Sequence, residues 1–234
     1  LIPSFAGMTE KTSVPEIAAA WERRSLDQTS AGCCTLFRAS ATIGFPACVG
    51  AAVLAEPILS MLYSSRQAEV SVCTGAFMVL CAGGLFMIIA SAMFGVFQAI
   101  GKAHVPLILM SCSVLLKAVL NPVLLSVPAL NISGAALSTA ACYILMSAVG
   151  AVILRRELKG QISVFACVRR PLLCSLLCGG AAYITYRAVR NSLDSPINVI
   201  LAVFAGGLVY GISLIPTVVF RKKRQLINSA GKNS

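Results

Sequence analysis

Val105-Pro-Leu-Ile-Leu-Met-Ser-Cys-Ser-Val-Leu-Leu-Lys-Ala-Val-Leu-Asn-Pro122 holds a single charge, Lys117, in eighteen residues. A helix needs about 20 mostly apolar residues to cross the hydrocarbon core of a bilayer. The run is continuous rather than alternating in polarity, which favours a helix over a barrel strand. Working outward from it, the chain contains six such blocks, at roughly 36–62, 70–97, 104–126, 131–154, 169–188 and 197–220. The fold class that follows is all-α: a polytopic membrane helix bundle of about six transmembrane helices. Short links with turn residues, such as Gly101-Lys-Ala-His and Asn191-Ser-Leu-Asp-Ser-Pro, make sequential helices antiparallel neighbours.

Composition agrees. Of the 234 residues 58% are hydrophobic and 12% charged, against about 45–50% and 25% in soluble domains. One water-soluble core cannot hide that excess, so a lipid bilayer is the expected partner. The net charge of +11 comes from 19 Lys and Arg against 8 Asp and Glu. These cations sit between apolar blocks and at the C-terminus, with no aromatic-interleaved stripe, so no nucleic acid is expected as a partner.

The positive-inside rule explains the charge instead. Fifteen cations fall on one side: Lys11, Arg23, Arg24, Arg38, Lys102, Arg155, Arg156, Lys159, Arg169, Arg170, Arg221, Lys222, Lys223, Arg224 and Lys232. Three fall on the other, Arg66, Arg187 and Arg190. Both ends are therefore expected in the cytoplasm.

Three divisions follow. Residues 1–35 read as the end of a preceding transmembrane helix plus a cytoplasmic amphipathic linker, 36–220 as the six-helix bundle, and 221–234 as a basic cytoplasmic tail. Leu1-Ile-Pro-Ser-Phe-Ala reads as the tail of an apolar segment already under way, so the chain is expected to be the C-terminal part of a longer protein. Within the linker, Pro15 suits a first helical turn with Ser13 as its cap. Ile17, Ala20 and Trp21 share a face, which fits either a helix on the membrane surface or an ordinary loop helix.

Most of the ten cysteines lie in apolar runs and behave as small hydrophobes. Cys33-Cys34 is a vicinal pair near a membrane entry, and no disulfide framework is expected. With one histidine, His104, no metal site and no cofactor are expected. The chain shows no nucleophile elbow, metal box or phosphate loop, so it is not expected to be an enzyme.

Lys117 is the most informative residue. A lysine at a bilayer centre costs about 2.5–3.5 kcal/mol on insertion scales, so a cavity, an anionic substrate or a carboxylate has to offset it. Asn121 lies one turn on, and Pro122 interrupts the backbone ladder beside it. Lys117 and Asn121 read either as cavity-lining groups that meet an anionic headgroup or as snorkelling and structural groups. Glu56 is the second embedded charge; it reads as an ion-pair partner of Lys117, as a coupling carboxylate, or as a group reaching the outer water layer. Pro46, Pro57 and Pro122 are the helix-break or hinge candidates.

Ordered motifs go further. Gly44-Phe-Pro-Ala-Cys-Val-Gly, Leu54-Ala-Glu-Pro-Ile-Leu-Ser-Met-Leu-Tyr, Phe97-Gln-Ala-Ile-Gly-Lys-Ala-His-Val-Pro, Leu116-Lys-Ala-Val-Leu-Asn-Pro-Val-Leu and Leu130-Asn-Ile-Ser-Gly-Ala-Ala-Leu-Ser-Thr occur in that order. Together they resemble the C-terminal half of the multidrug, oligosaccharidyl-lipid and polysaccharide exporter superfamily. Within it the chain most resembles stage V sporulation protein B and related polysaccharide flippases, with the lipid II flippases more distant. The resemblance implies about fourteen helices in two lobes around a cavity. This chain would supply the C-terminal lobe, with the missing N-terminal lobe as its partner.

The same resemblance implies alternating-access flipping or export of a lipid-linked, anionic saccharide precursor for bacterial cell-wall, spore-cortex or surface polysaccharide. A coupling ion, proton or sodium, and the bacterial inner membrane belong to that picture. Lys117 and Asn121 match the Lys-x-x-x-Asn pattern of the sporulation-type members. Two alternatives remain: a drug or cation antiporter of the multidrug and toxin extrusion type, which Lys117 disfavours, and a non-transporting scaffold in envelope assembly.

Overall fold

The computed structural model describes residues 14–63, 67–126, 131–189 and 198–213. The expected segment ending near Leu1, the Ser13 cap and the basic tail 221–234 lie outside the described residues. Among the described residues every regular element is helical: α1 (14–22), α2 (Leu26–Val53), α3 (Ala55–Leu62), α4 (Gln67–Ala99), α5 (His104–Leu125), α6 (Asn131–Glu157), α7 (Val164–Val189) and α8 (Asn198–Ser213). Five of these, in α2, α4, α5, α6 and α7, are long and apolar enough to cross a membrane. The sixth apolar block is described as α8 over Asn198–Ser213.

The helix ends at the cation-rich side share one solution. Arg24 takes a left-handed φ of 54°, and the Ser25 N–H reaches the Ala20 carbonyl at 3.2 Å. Gly101 at φ 75° lets Lys102 N–H reach the Phe97 carbonyl at 2.8 Å. Lys159 at φ 49° does the same for Gly160 N–H and the Arg155 carbonyl, also at 2.8 Å. Each is a bond from the third residue beyond the helix back to its last turn, which satisfies a carbonyl that the ladder leaves open. Lys102, held in one of these turns, meets Glu157 at the end of α6, Nζ to Oε1 2.5 Å.

The helices pack as a series. α7 lies on α2, α2 on α4, α4 on α6 and α6 on α5, while α3 folds back against α4 and α2. Close approach of α4 and α6 depends on Gly83: a Cβ there would sit 3.0 Å from both Cα and Cβ of Ala140. The main core lies toward the cation-rich end, where Phe37, Phe45, Met93, Phe97, Leu154 and Leu158 are almost wholly buried. Ile17 of α1 is buried in this core and Trp21 packs against it. The face shared by these two residues is therefore turned onto the bundle.

Two details differ from the hydropathy boundaries. α2 starts at Leu26, well before 36, because Asp27, Gln28 and Ala31 are exposed while Thr29, Cys33 and Leu36 on the other face are buried. A sliding apolar window cannot see a helix that is half polar in its first turns. The first block is also broken at Leu54, where φ −96° and ψ 19° separate α2 from α3. Pro57 lies in the first turn of α3, a position that suits it because an N–H there has no helical partner. Pro46 and Pro122 instead lie inside α2 and α5, which continue past them. A disulfide joins Cys34 of α2 to Cys167 of α7, with Cα atoms 5.4 Å apart. This bridge departs from the expectation of no disulfide.

Candidate polar seam between α5 and α6

α5 is the least enclosed spanning helix: 11% of its span is buried, against 33–39% in the other four. Leu107, Ile108, Val114, Leu115, Val119 and Val123 are all exposed. In water such a continuous apolar face would be costly, whereas lipid solvates it without penalty. The opposite stripe repeats every four residues, Ser113, Lys117 and Asn121, and so runs along one side of the helix.

This stripe meets α6. Ser138 Oγ donates to Asn121 Oδ1 at 2.6 Å and also lies 2.9 Å from the Ala135 carbonyl of its own helix. One turn further along α6, Cys142 Sγ lies 3.5 Å from the Ser113 carbonyl. Ser138, Cys142 and Ser113 are buried. Lys117 is half-buried and sits on the stripe between the two contacts. Asn121 has its Oδ1 occupied by Ser138, which fixes the amide so that its two N–H donors face away from that bond. Pro122 has no N–H to offer the Ala118 carbonyl, next to Lys117, so an acceptor and a cation lie side by side on the helix. Near the far end of the seam α6 approaches α5 through Gly134, where a Cβ would come 2.7 Å from the Leu124 carbonyl oxygen.

The other sequence candidates lie apart from this seam. Glu56 is exposed in the first turn of α3, a helix packed on α4 and α2, where a carboxylate suits the positive end of the helix dipole. It makes no ion pair with Lys117, so that suggested pairing is not formed; among the described residues Glu157 is the carboxylate that meets a lysine, Lys102. Pro46 acts locally: it cannot give an N–H to the Thr42 carbonyl, and Tyr210 Oη of α8 donates to that carbonyl at 2.5 Å. Ser138 and Tyr210 were not singled out by the sequence reading. Ser138 stands inside the motif Leu130-Asn-Ile-Ser-Gly-Ala-Ala-Leu-Ser-Thr, which was its one available signal. Among the described residues no group of three or more His, Cys, Asp or Glu side chains could hold a metal ion.

Among the described residues, five helices long and apolar enough to cross a bilayer and an apolar exterior define a polytopic membrane protein. The chain belongs to the lipid II flippase MurJ family, whose family model matches residues 8–222. That is a family of flippases, not of enzymes. A solved structure described as lipid II flippase MurJ in an inward closed conformation is similar to this chain with a TM-score of 0.71 and 18% identity. The alignment covers 94% of this chain and 44% of that one, so this chain spans less than half the length of its structural relative. At that identity the likeness carries the fold alone. No curated protein matches the chain. The match lies with the lipid II flippases, which the sequence motifs place further away than the sporulation-type members.

Proposed function

We propose that this chain is one lobe of a flippase that moves a lipid-linked, anionic saccharide precursor of the cell wall across a bacterial inner membrane by alternating access. The observation that carries this reading is Lys117, a half-buried cation on α5 flanked by the Asn121–Ser138 and Ser113–Cys142 contacts. A cation held on a seam by neighbours that bond each other has its ammonium donors available for a phosphate or pyrophosphate. The Asn121 amide donors lie one turn away and fit the same anion. The family supports a lipid-linked cargo. The spore-cortex or surface-polysaccharide versions of that cargo rest on the Lys117-x-x-x-Asn121 pattern alone.

In this reading the second lobe completes the pathway, and Glu56, exposed at the start of α3, is the group offered to a coupling proton or sodium ion. The fifteen-to-three division of cations supports an orientation with both ends in the cytoplasm. The drug-antiporter alternative gains nothing from the seam, because Lys117 repels a cationic cargo.

The test is translocation of a fluorescent lipid-linked precursor by the full-length protein in vesicles. Lys117→Ala lowers the rate roughly ten-fold to hundred-fold, the worth of one charge-assisted hydrogen bond, and Lys117→Arg retains part of it. An unchanged rate in Lys117→Ala, with the protein folded, overturns the role of the seam.

A further inference from the structure

We propose that Cys34 and Cys167 form a reversible redox site, a thiol pair that a small-molecule disulfide oxidises into a covalent clasp between α2 and α7. The two residues are 133 positions apart in sequence, yet their Cα atoms lie 5.4 Å apart and their sulfurs are joined. That spacing is inside the range that disulfides occupy without backbone movement. The pairing is selective. Cys33, the next residue along, is fully buried among Leu36 and Phe37 and points into the core, as a rotation of about 100° per helical residue requires. Cys174 and Cys178 share a face of α7 and remain free thiols.

The site has an entrance and an interior. Cys34 is half-buried, so it is the sulfur a small disulfide reaches first, whereas Cys167 is 5% exposed and stands behind it. The Cys34 thiolate attacks the small disulfide RSSR, forming Cys34–S–SR and releasing RS⁻. The Cys167 thiolate then displaces the second RS⁻ and closes the Cys34–Cys167 bond. Two electrons pass from the protein sulfurs to RSSR, and the two protons end on two RSH molecules. A dithiol reverses both steps.

The clasp lies where α1, α2, α6 and α7 share one core cluster, which includes Ile17, Leu158 and Cys167. It therefore ties α2 to α7. This proposal is independent of the cargo and of the proposed flippase activity.

The test uses membranes containing the full-length wild-type protein, equilibrated with oxidised or reduced glutathione. Free thiols are alkylated in denaturant and the peptides identified by mass spectrometry. The expected result is a Cys34–Cys167 linked peptide after oxidised glutathione that disappears after dithiothreitol. The thermal midpoint in detergent rises by roughly 5 °C or more on oxidation. Cys34→Ser and Cys167→Ser lose both effects. The wild-type peptide map decides the matter even if either variant folds poorly. Recovery of both cysteines in alkylated form at every glutathione ratio overturns the proposal, as does a link made by Cys33 in place of Cys34. A link that dithiothreitol cannot open overturns its reversibility.

Discussion

The seam between α2 and α7 and the seam between α5 and α6 are built on opposite plans. At the first, a bridge joins Cys34 to Cys167, and Cys167 and Val168 of α7 enter the main apolar core. At the second, α5 is the least buried of the spanning helices; Leu109 and Met146 share a small apolar cluster, and polar contacts, Asn121–Ser138 and Ser113–Cys142, lie on either side of a lysine. In a bilayer the hydrophobic effect does not drive helices together, so side-chain fit and interhelical hydrogen bonds decide which seams hold. The α2–α7 seam is closed by a bridge and by core packing. The α5–α6 seam leaves Lys117 half-buried, which is what the proposed handling of an anionic headgroup requires.

The sharpest way to break that contrast is steric. Gly134→Val places a side chain against the Leu124 carbonyl, a backbone group that cannot rotate away. Overpacking of this kind costs roughly 1–3 kcal/mol, and the loss is expected as a lower thermal midpoint. In the full-length protein, translocation is expected to fall with it, since Lys117 and Asn121 move with α5. Gly180→Ala serves as the control, because a Cβ there meets nothing within 4 Å. If both variants lose stability equally, close approach at Gly134 is not what sets the α5–α6 spacing.

A milder change sharpens the polar half of the comparison. Asn121→Ala removes the acceptor of Ser138, but Ser138 Oγ still has the Ala135 carbonyl at 2.9 Å, so the expected cost is about 1 kcal/mol rather than that of a wholly orphaned hydroxyl. Ser138→Ala frees the Asn121 amide to rotate. Its expected signature is reduced translocation with little loss of stability, restored by Ser138→Thr. If Ser138→Ala leaves translocation unchanged, Asn121 needs no fixed orientation.

How much of this was legible beforehand depends on sequence distance. The spanning helices could be read because apolarity is a local property, and Lys117 stood out because its cost is local too. The shared stripe of Lys117 and Asn121 follows from a four-residue spacing. Local signals fail at Leu54, where the interruption precedes the visible Pro57, and at Leu26, where a half-polar helical turn looks like a linker. They fail altogether for partners far apart in the chain. Ser138 meets Asn121 across 17 residues, Cys34 meets Cys167 across 133, and Tyr210 meets Thr42 across 168. A single sequence holds no record of which helices pack together, so these pairings become visible only in the folded bundle.

The smallest expected effect tests how a proline inside a spanning helix is tolerated. α2 runs on past Pro46, although Pro46 withdraws the donor that the Thr42 carbonyl would use. Tyr210 of α8 supplies a hydroxyl to that carbonyl from outside the helix. Tyr210→Phe therefore removes an interhelical bond, and such bonds average about 0.6 kcal/mol in membrane proteins. Pro46→Ala returns the N–H to the ladder, so the Thr42 carbonyl no longer depends on α8. In a double-mutant cycle, Tyr210→Phe is expected to cost less in the Pro46→Ala background than in the wild type. Equal costs in both backgrounds would mean that the hydroxyl serves α8 docking alone and that the proline gap is satisfied in another way.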